Sequence, residues 1–367
     1  MSMKAFFLKH IKLHIWLLAD GCLLAAFFLF RKNRAWMNAL ANYVTTPLKQ
    51  AIGRVCYLAD VSIMEVLYVL LVLVGILYVA WSIVRVKRAK GRRGDRAYSA
   101  LLGAACIGLA IYAGFCLLWG VNFWTDSFQD KSGIYAEPVA EEDLLAVTVY
   151  FAQHLSEAAD EVARDENGVF AVSVEEILDD SATVYDALEK EMPFLEFDDP
   201  GVKPMFFSRL MSIIDFTGFY CPWTGESNVN VDSPACLIPS TVAHELAHQR
   251  GIASEQECNF LAVLASTTSG QAAYEYSGWL KGYIHLGNAL YRVDPDTYWA
   301  IRDQLPDTVK ADLAYNNAYW DQFRDTVVQT MSTKVYDGVL KAYGDERGIQ
   351  SYGTVVDMLV AYYKDMA

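Results

Sequence analysis

The sequence predicts a mainly α protein: three N-terminal transmembrane helices, then an α-rich domain with a small β element. Three observations carry this. The N-terminal third contains three long apolar runs. Its charge is opposite in sign to that of the rest, net +11 over residues 1–120 against −25 over residues 121–367. Beyond Pro138 most segments have helical spacing, with one short alternating stretch, Ser227-Asn228-Val229-Asn230-Val231-Asp232, that reads as a strand.

The three apolar runs are taken first. Val66–Val84 and Leu101–Trp119 each run 19 residues without a charge. A bilayer core of about 30 Å needs about 20 residues of helix. Both runs are apolar all round, unlike a surface helix of a soluble core. They predict spans over about 64–84 and 101–119. The first run, Ile15–Phe30, is interrupted by Asp20 and leads straight into Arg31-Lys32. No small-residue cleavage site follows it, which argues for a span over about 13–30 and against a signal peptide. Asp20 is expected in the interior of the bundle, with a partner.

Residues 1–120 are therefore expected to form a membrane domain and 121–367 a second, extracytoplasmic domain. The lipid bilayer is the implied partner. Between the second and third spans, the loop 85–96 carries Lys or Arg at seven of twelve positions. Basic short loops face the cytoplasm. The N-terminus is then cytoplasmic, and the chain after Trp119 lies outside the cytoplasmic membrane. The acidic second domain lacks the basic footprint that nucleic-acid binding needs. Residues 31–61, with Leu40, Val44, Leu48 and Ile52 at helical spacing, are expected to lie on the membrane surface or cap the bundle.

Within the second domain, helices are expected over about Glu141–Arg164 and Val174–Met192, and from Ser240 to about Lys364. Cys221, Cys236 and Cys258 lie there. Three is an odd number, so at most one pair forms, and Cys221 with Cys236 is one possibility.

The most informative stretch is Thr241–Phe260, which contains His244-Glu245-Leu246-Ala247-His248. Residues i and i+4 share one face of a helix. Two imidazoles so placed can grip one Zn²⁺ at about 2.0–2.1 Å each. Glu245 sits beside them and can reach a water on the metal. That is the minimal equipment for metal-assisted hydrolysis of an amide bond. Ser240 is the expected N-cap of this helix, and Gly251 the expected stop.

A hydrolytic zinc site takes a third protein ligand and leaves one position for water. Ser254-Glu255-Gln256-Glu257 opens the next helix, and Ser254 with Glu257 matches a capping box. That frees Glu255 to be the third ligand, with Asn259 one turn on as its supporting partner. Glu257 is the alternate ligand. Tyr220, Tyr276 and His285 are candidates to stabilise a developing oxyanion. The Asn228–Asp232 strand precedes the metal helix and could pair with an extended peptide, which makes Tyr220, Asn228 and Asn230 weak substrate-binding candidates. Glu226 either sets specificity or closes a turn.

HELAHQRG followed by Glu255-Gln256-Glu257-Cys258-Asn259 resembles the gluzincin side of the zincin metallopeptidases. The resemblance implies a zincin-like fold with Glu255 as ligand. Cys258 stands where those proteins usually carry Ala, and the interval from His248 is shorter than in most of them. Nearly the whole chain resembles an uncharacterised family of bacterial multi-pass membrane proteins, a domain of unknown function. The matching pieces are Trp119–Phe123, Ser208–Met211, Gly218–Asn230, the H-E-x-x-H region and Tyr276-Ser277-Gly278. The expectation is a membrane-anchored zinc metallopeptidase acting on a peptide or protein substrate outside the cytoplasmic membrane. The alternative is a non-hydrolytic envelope sensor or scaffold with a structural or vestigial metal site.

Overall fold

Long uninterrupted apolar runs become long helices in the computed structural model, which describes residues 3–198, 200–324, 326–342 and 352–367. The chain divides into two compact units: Met1–Lys49 with Ile63–Thr125, and Gln50–Ser62 with Asp126–Ala367.

The first unit is built on α1 (Ile11–Phe30), α3 (Ile63–Arg88) and α4 (Arg93–Leu118); α2 (Thr46–Cys56) precedes α3 and from Gln50 onward belongs to the second unit. Among the described residues, α1, α3 and α4 are the helices long and apolar enough to cross a membrane. At 26 residues, α3 and α4 are each about 39 Å long. Both outrun the expected spans, so the basic loop shrinks to the four residues 89–92, and most of its Lys and Arg extend the helix ends. Helix α4 packs against both α1 and α3. Polar contacts help to join them: the Tyr78 hydroxyl donates to the Ala100 carbonyl at 2.7 Å, and the Cys106 thiol to the Leu13 carbonyl at 3.3 Å. Asp20 is interior as expected, but its Oδ2 has no hydrogen-bond partner among the described residues.

The second unit begins with α5 (Phe128–Ser132), closed by a capping box between Ser127 and Asp130. Helix α6 (Glu141–Ala158) is six residues shorter than expected. The expected helix over 174–192 is broken into Val174–Asp179, a tight turn at Asp180–Thr183, and Asp186–Glu191. Ser181 explains the break. Its hydroxyl donates to the Leu178 carbonyl and accepts the Val202 amide, competing with the helical ladder.

A three-stranded sheet follows, with α7 (Ser208–Ile213) between its first two strands. Its strands are β1 (Lys203–Pro204), β2 (Gly218–Cys221) and β3 (Glu226–Val229), in the order β1-β3-β2. β3 runs parallel to β1 and antiparallel to β2. The strand expected at Asn228–Asp232 therefore lies two residues earlier. It is central and buried on both faces, so it presents no free edge to a peptide.

Helices α8 (Ile238–Gln249), α9 (Glu255–Thr267), α10 (Ala272–Val293), α11 (Pro295–Gln304), α12 (Asp307–Asp321), α13 (Val327–Ala342) and α14 (Tyr352–Tyr363) complete the unit. Continuation of helix through 343–351 lies outside the described residues. α9 packs between α8 and α10, and α10 lies along α6. Phe151, Leu155, Phe260, Leu264 and Leu286 fill the shared core. No disulfide joins Cys221 to Cys236; both are buried thiols.

Candidate metal centre

Helix α8 places two imidazoles on one face because His244 and His248 are one turn apart. It starts two residues earlier than Ser240, with Pro239 in its first turn. Ser240 is thus inside the helix, where its N–H binds the Ser277 hydroxyl at 3.0 Å. The other end is set by Gly251, whose φ of 89° suits a residue without Cβ. The Gly251 amide returns to the His248 carbonyl and the Ile252 amide to the Ala247 carbonyl, the two bonds of a Schellman turn.

That turn has a chemical consequence. It brings the Ile252 carbonyl to 2.8 Å from His248 Nδ1. An Nδ1–H donated there leaves the Nε2 lone pair for a metal. The Cys258 sulfur lies 3.3 Å from the same Nδ1.

The turn also carries α9 back across α8. Glu255, the first residue of α9, directs one carboxylate oxygen at each imidazole. Oε2 is 3.2 Å from His244 Nε2, and Oε1 is 3.4 Å from His248 Nε2. The three ligand atoms lie within 4.8 Å of one another, so His244, His248 and Glu255 form a cluster able to hold a metal ion. Burial pushes the His244 pKa down to about 4, which keeps that imidazole neutral and its lone pair available.

Glu257, the alternate ligand, points elsewhere. Its carboxylate accepts the backbone amides of Phe128 and Gln129 at 3.0 and 3.3 Å, at the start of α5. Only half of the expected capping box forms: the Ser254 hydroxyl accepts the Glu257 amide, while the Glu257 carboxylate is spent on α5. Asn259 is half-buried, one turn along α9 from Glu255.

Glu245 lies against the edge strand β2. A Cβ on Gly218 would collide with its carboxylate. The Tyr220 backbone amide donates to the carboxylate, while Oε2 has no partner among the described residues. Burial raises the Glu245 pKa to about 8. Tyr220 thus meets the site through its main chain; its phenol is buried.

Other expected residues fall away from the cluster. The Asn230 side-chain amide donates to Ser212 Oγ and to the Phe216 carbonyl, and Asn228 is buried on the central strand with its amide toward the Phe219 and Glu226 carbonyls. Both side chains are buried and bonded within the protein. The Tyr276 hydroxyl donates to Asp312, which also binds Arg164. Glu226 pairs with Cys221 where the β2–β3 connection closes, and its side chain is buried and paired with Lys203 at 2.7 Å.

His285 does lie near the cluster. Burial takes its pKa down to about 3, with smaller effects from Lys281 and His244. Lys281, one turn before it on α10, is the residue that sequence reasoning missed. Burial lowers its pKa to about 8, against the opposing pull of Glu245 and Glu255. Its i, i+4 spacing to His285 was the available signal.

The model of a family described as a protein of unknown function (DUF3810) matches residues 41–360, a span that takes in α3, α4, the sheet and every residue of this cluster. The chain belongs to the DUF3810 family. No curated protein and no solved structure matches it. In this member the H-E-x-x-H helix, the Schellman turn and the first residue of α9 together make a cluster able to hold a metal ion.

Proposed function

We propose that the chain is a membrane-anchored zinc-dependent peptidase whose second unit works outside the cytoplasmic membrane. The observation that carries this reading is the convergence of His244, His248 and Glu255 beside a buried Glu245. Two nitrogens and one carboxylate suit zinc, and three protein ligands leave a fourth position open, as hydrolytic zinc sites do. The seven basic residues at 85–96 support the orientation.

When bound, zinc supplies a Lewis acid and brings the pKa of water to about 7. The protein's own residues do the rest. His244, His248 and Glu255 would hold the ion. Glu245 takes a proton from the attacking water and passes it to the leaving amine. β2 is the sheet edge next to Glu245, so it aligns an extended peptide there by backbone pairing. Lys281 and His285 supply positive charge or hydrogen bonds to the oxyanion from the α10 side.

The deciding experiment is metal analysis of the purified full chain beside hydrolysis of a mixed peptide library. Stoichiometric zinc is expected in the wild type and in Glu257→Ala, with loss in His244→Ala and Glu255→Ala. Retained zinc in Glu255→Ala would remove that ligand. A fully loaded wild type that cleaves nothing, with turnover unaffected by Glu245→Gln, would favour a structural metal site in an envelope scaffold. Impermeant labelling of an engineered cysteine near residue 300 in intact cells tests the orientation; protection would overturn it.

A further inference from the structure

The second unit carries apolar side chains in water-facing positions that neither its core nor its metal cluster uses. Phe206 is 86% exposed, Leu58 85%, and Val55, Val61 and Leu210 more than half exposed. Phe207 packs edge-on against Phe206, with ring centroids 5.0 Å apart. Scattered apolar residues on a surface are ordinary, but a contiguous group marks an interaction site.

These residues come from two chain segments that the structure ties together. Lys203 is buried, and its ammonium donates to the carbonyls of Cys56 and Val61 at 2.9 and 3.0 Å while pairing with Glu226. The Tyr57 hydroxyl donates to the Gly201 carbonyl at 2.8 Å and accepts the Ser227 amide at 3.1 Å. Arg54 pairs with Asp198. Segment 54–61 is thereby fastened to β1 and β3. Phe206 follows Lys203 by three residues, a reach of about 10 Å at most.

The occupant of this surface follows from chain continuity. Val61 is two residues before Ile63, where the apolar helix α3 begins. Segment 54–61 therefore lies at a bilayer boundary, and Lys203 holds Phe206 and its neighbours close to that same boundary. Aromatic and aliphatic side chains there sink into the zone between lipid headgroups and acyl chains.

We propose that Val55, Leu58, Val61, Phe206, Phe207 and Leu210 form a monotopic lipid-binding face by which the second unit rests on the bilayer surface. Lys203 is the internal strut that holds the two halves of this face together. The proposal does not depend on the metal or on peptidase activity.

The test uses the full chain in phosphatidylethanolamine–phosphatidylglycerol nanodiscs. A solvatochromic fluorescent amino acid is placed at position 206, at 58, or at 299 as an exposed control on α11, which packs on α6 and α10. Emission from 206 and 58 should move to shorter wavelength and be quenched by lipid carrying a nitroxide near the headgroup end of the acyl chain. Aqueous iodide should quench it weakly. Position 299 should show the reverse. Iodide quenching at 206 and 58 equal to that at 299 would overturn the proposal. So would shielding that disappears in discs holding one copy of the chain, since it would assign the face to contact between copies. Should the probe at 206 disturb folding, the probe at 58 reports on the same face independently.

Discussion

Helices α3 and α8 are both rich in apolar residues, yet they are built for opposite surroundings. α3 turns Leu70, Val72, Ile76 and Leu77 outward, each more than half exposed, and among its residues only Met64 is buried. α8 buries eleven of its twelve residues against protein. Five of those eleven are Ser240, Thr241, Glu245, His248 and Gln249. A helix that faces acyl chains can simply leave polar groups out. A helix enclosed by protein can include them, but each must then find a partner. Ser240 finds Ser277, His248 finds Ile252, and Gln249 finds the Gly225 carbonyl. Three side-chain atoms of α8 find none among the described residues, Gln249 Oε1, His244 Nδ1 and Glu245 Oε2, and the last two belong to residues of the proposed reaction centre. The contrast separates the long apolar helices from the helix that carries two residues of the candidate metal cluster.

The largest effect that tests this contrast belongs to Glu245. Glu245→Gln keeps the volume and removes the proton acceptor. Peptide hydrolysis should fall about 10²–10⁴-fold, with zinc content unchanged. Rate and metal are to be measured on the same preparation, because parallel loss of both would indicate structural damage instead.

Next comes the buried ion pair. Lys203→Met removes the ammonium paired with buried Glu226, which should cost about 3–5 kcal/mol. The double variant Lys203→Met, Glu226→Leu should recover part of this. Recovery stays incomplete because the Cys56 and Val61 carbonyls still lack the ammonium. Chemical denaturation of the detergent-solubilised chain measures both.

A smaller effect is expected at the turn after α8. Gly251→Ala forces a Cβ onto a residue at φ 89°, a cost of about 1 kcal/mol. Its metal phenotype should be larger than its stability phenotype. Moving the Ile252 carbonyl away from His248 Nδ1 should weaken zinc affinity about 10–100-fold. A chelator competition titration reads this directly. Unchanged affinity would show that the carbonyl does not orient the imidazole.

How far the sequence reveals all this follows from distance along the chain. The two histidines and Glu245 are legible because helical geometry fixes their relation within five residues. Glu255 is nearly as legible, since Gly251 signals the return. Glu257 is different: its partners Phe128 and Gln129 lie about 130 positions away, and no local pattern points to them. The capping-box pattern was real in its Ser254 half and misleading in its Glu257 half. Strand order is non-local for the same reason. Alternation located β3 to within two residues, but its central place depends on β1, whose two residues carry no periodicity at all. The three long apolar helices were legible from composition, whereas nothing local to Asp20 says which groups meet its carboxylate, whose Oδ2 has no hydrogen bond among the described residues.

The smallest effect completes the contrast between the two helices. Leu246 of α8 is fully buried, and Leu77 of α3 is 66% exposed. Leu246→Ala opens a cavity that neighbouring side chains fill only in part, at about 2–5 kcal/mol. Leu77→Ala removes the same atoms from a face where lipid tails, as apolar as leucine itself, close over the shorter side chain. Lipid surrounds that position in the folded and the unfolded membrane-inserted chain alike. The expected change is therefore within about 0.5 kcal/mol. Both variants are to be compared by denaturant titration in the same lipid–detergent mixture. A cost at Leu77 comparable to that at Leu246 would mean that the outward face of α3 packs against protein, and the anchor would have to be redrawn as one element of a larger assembly.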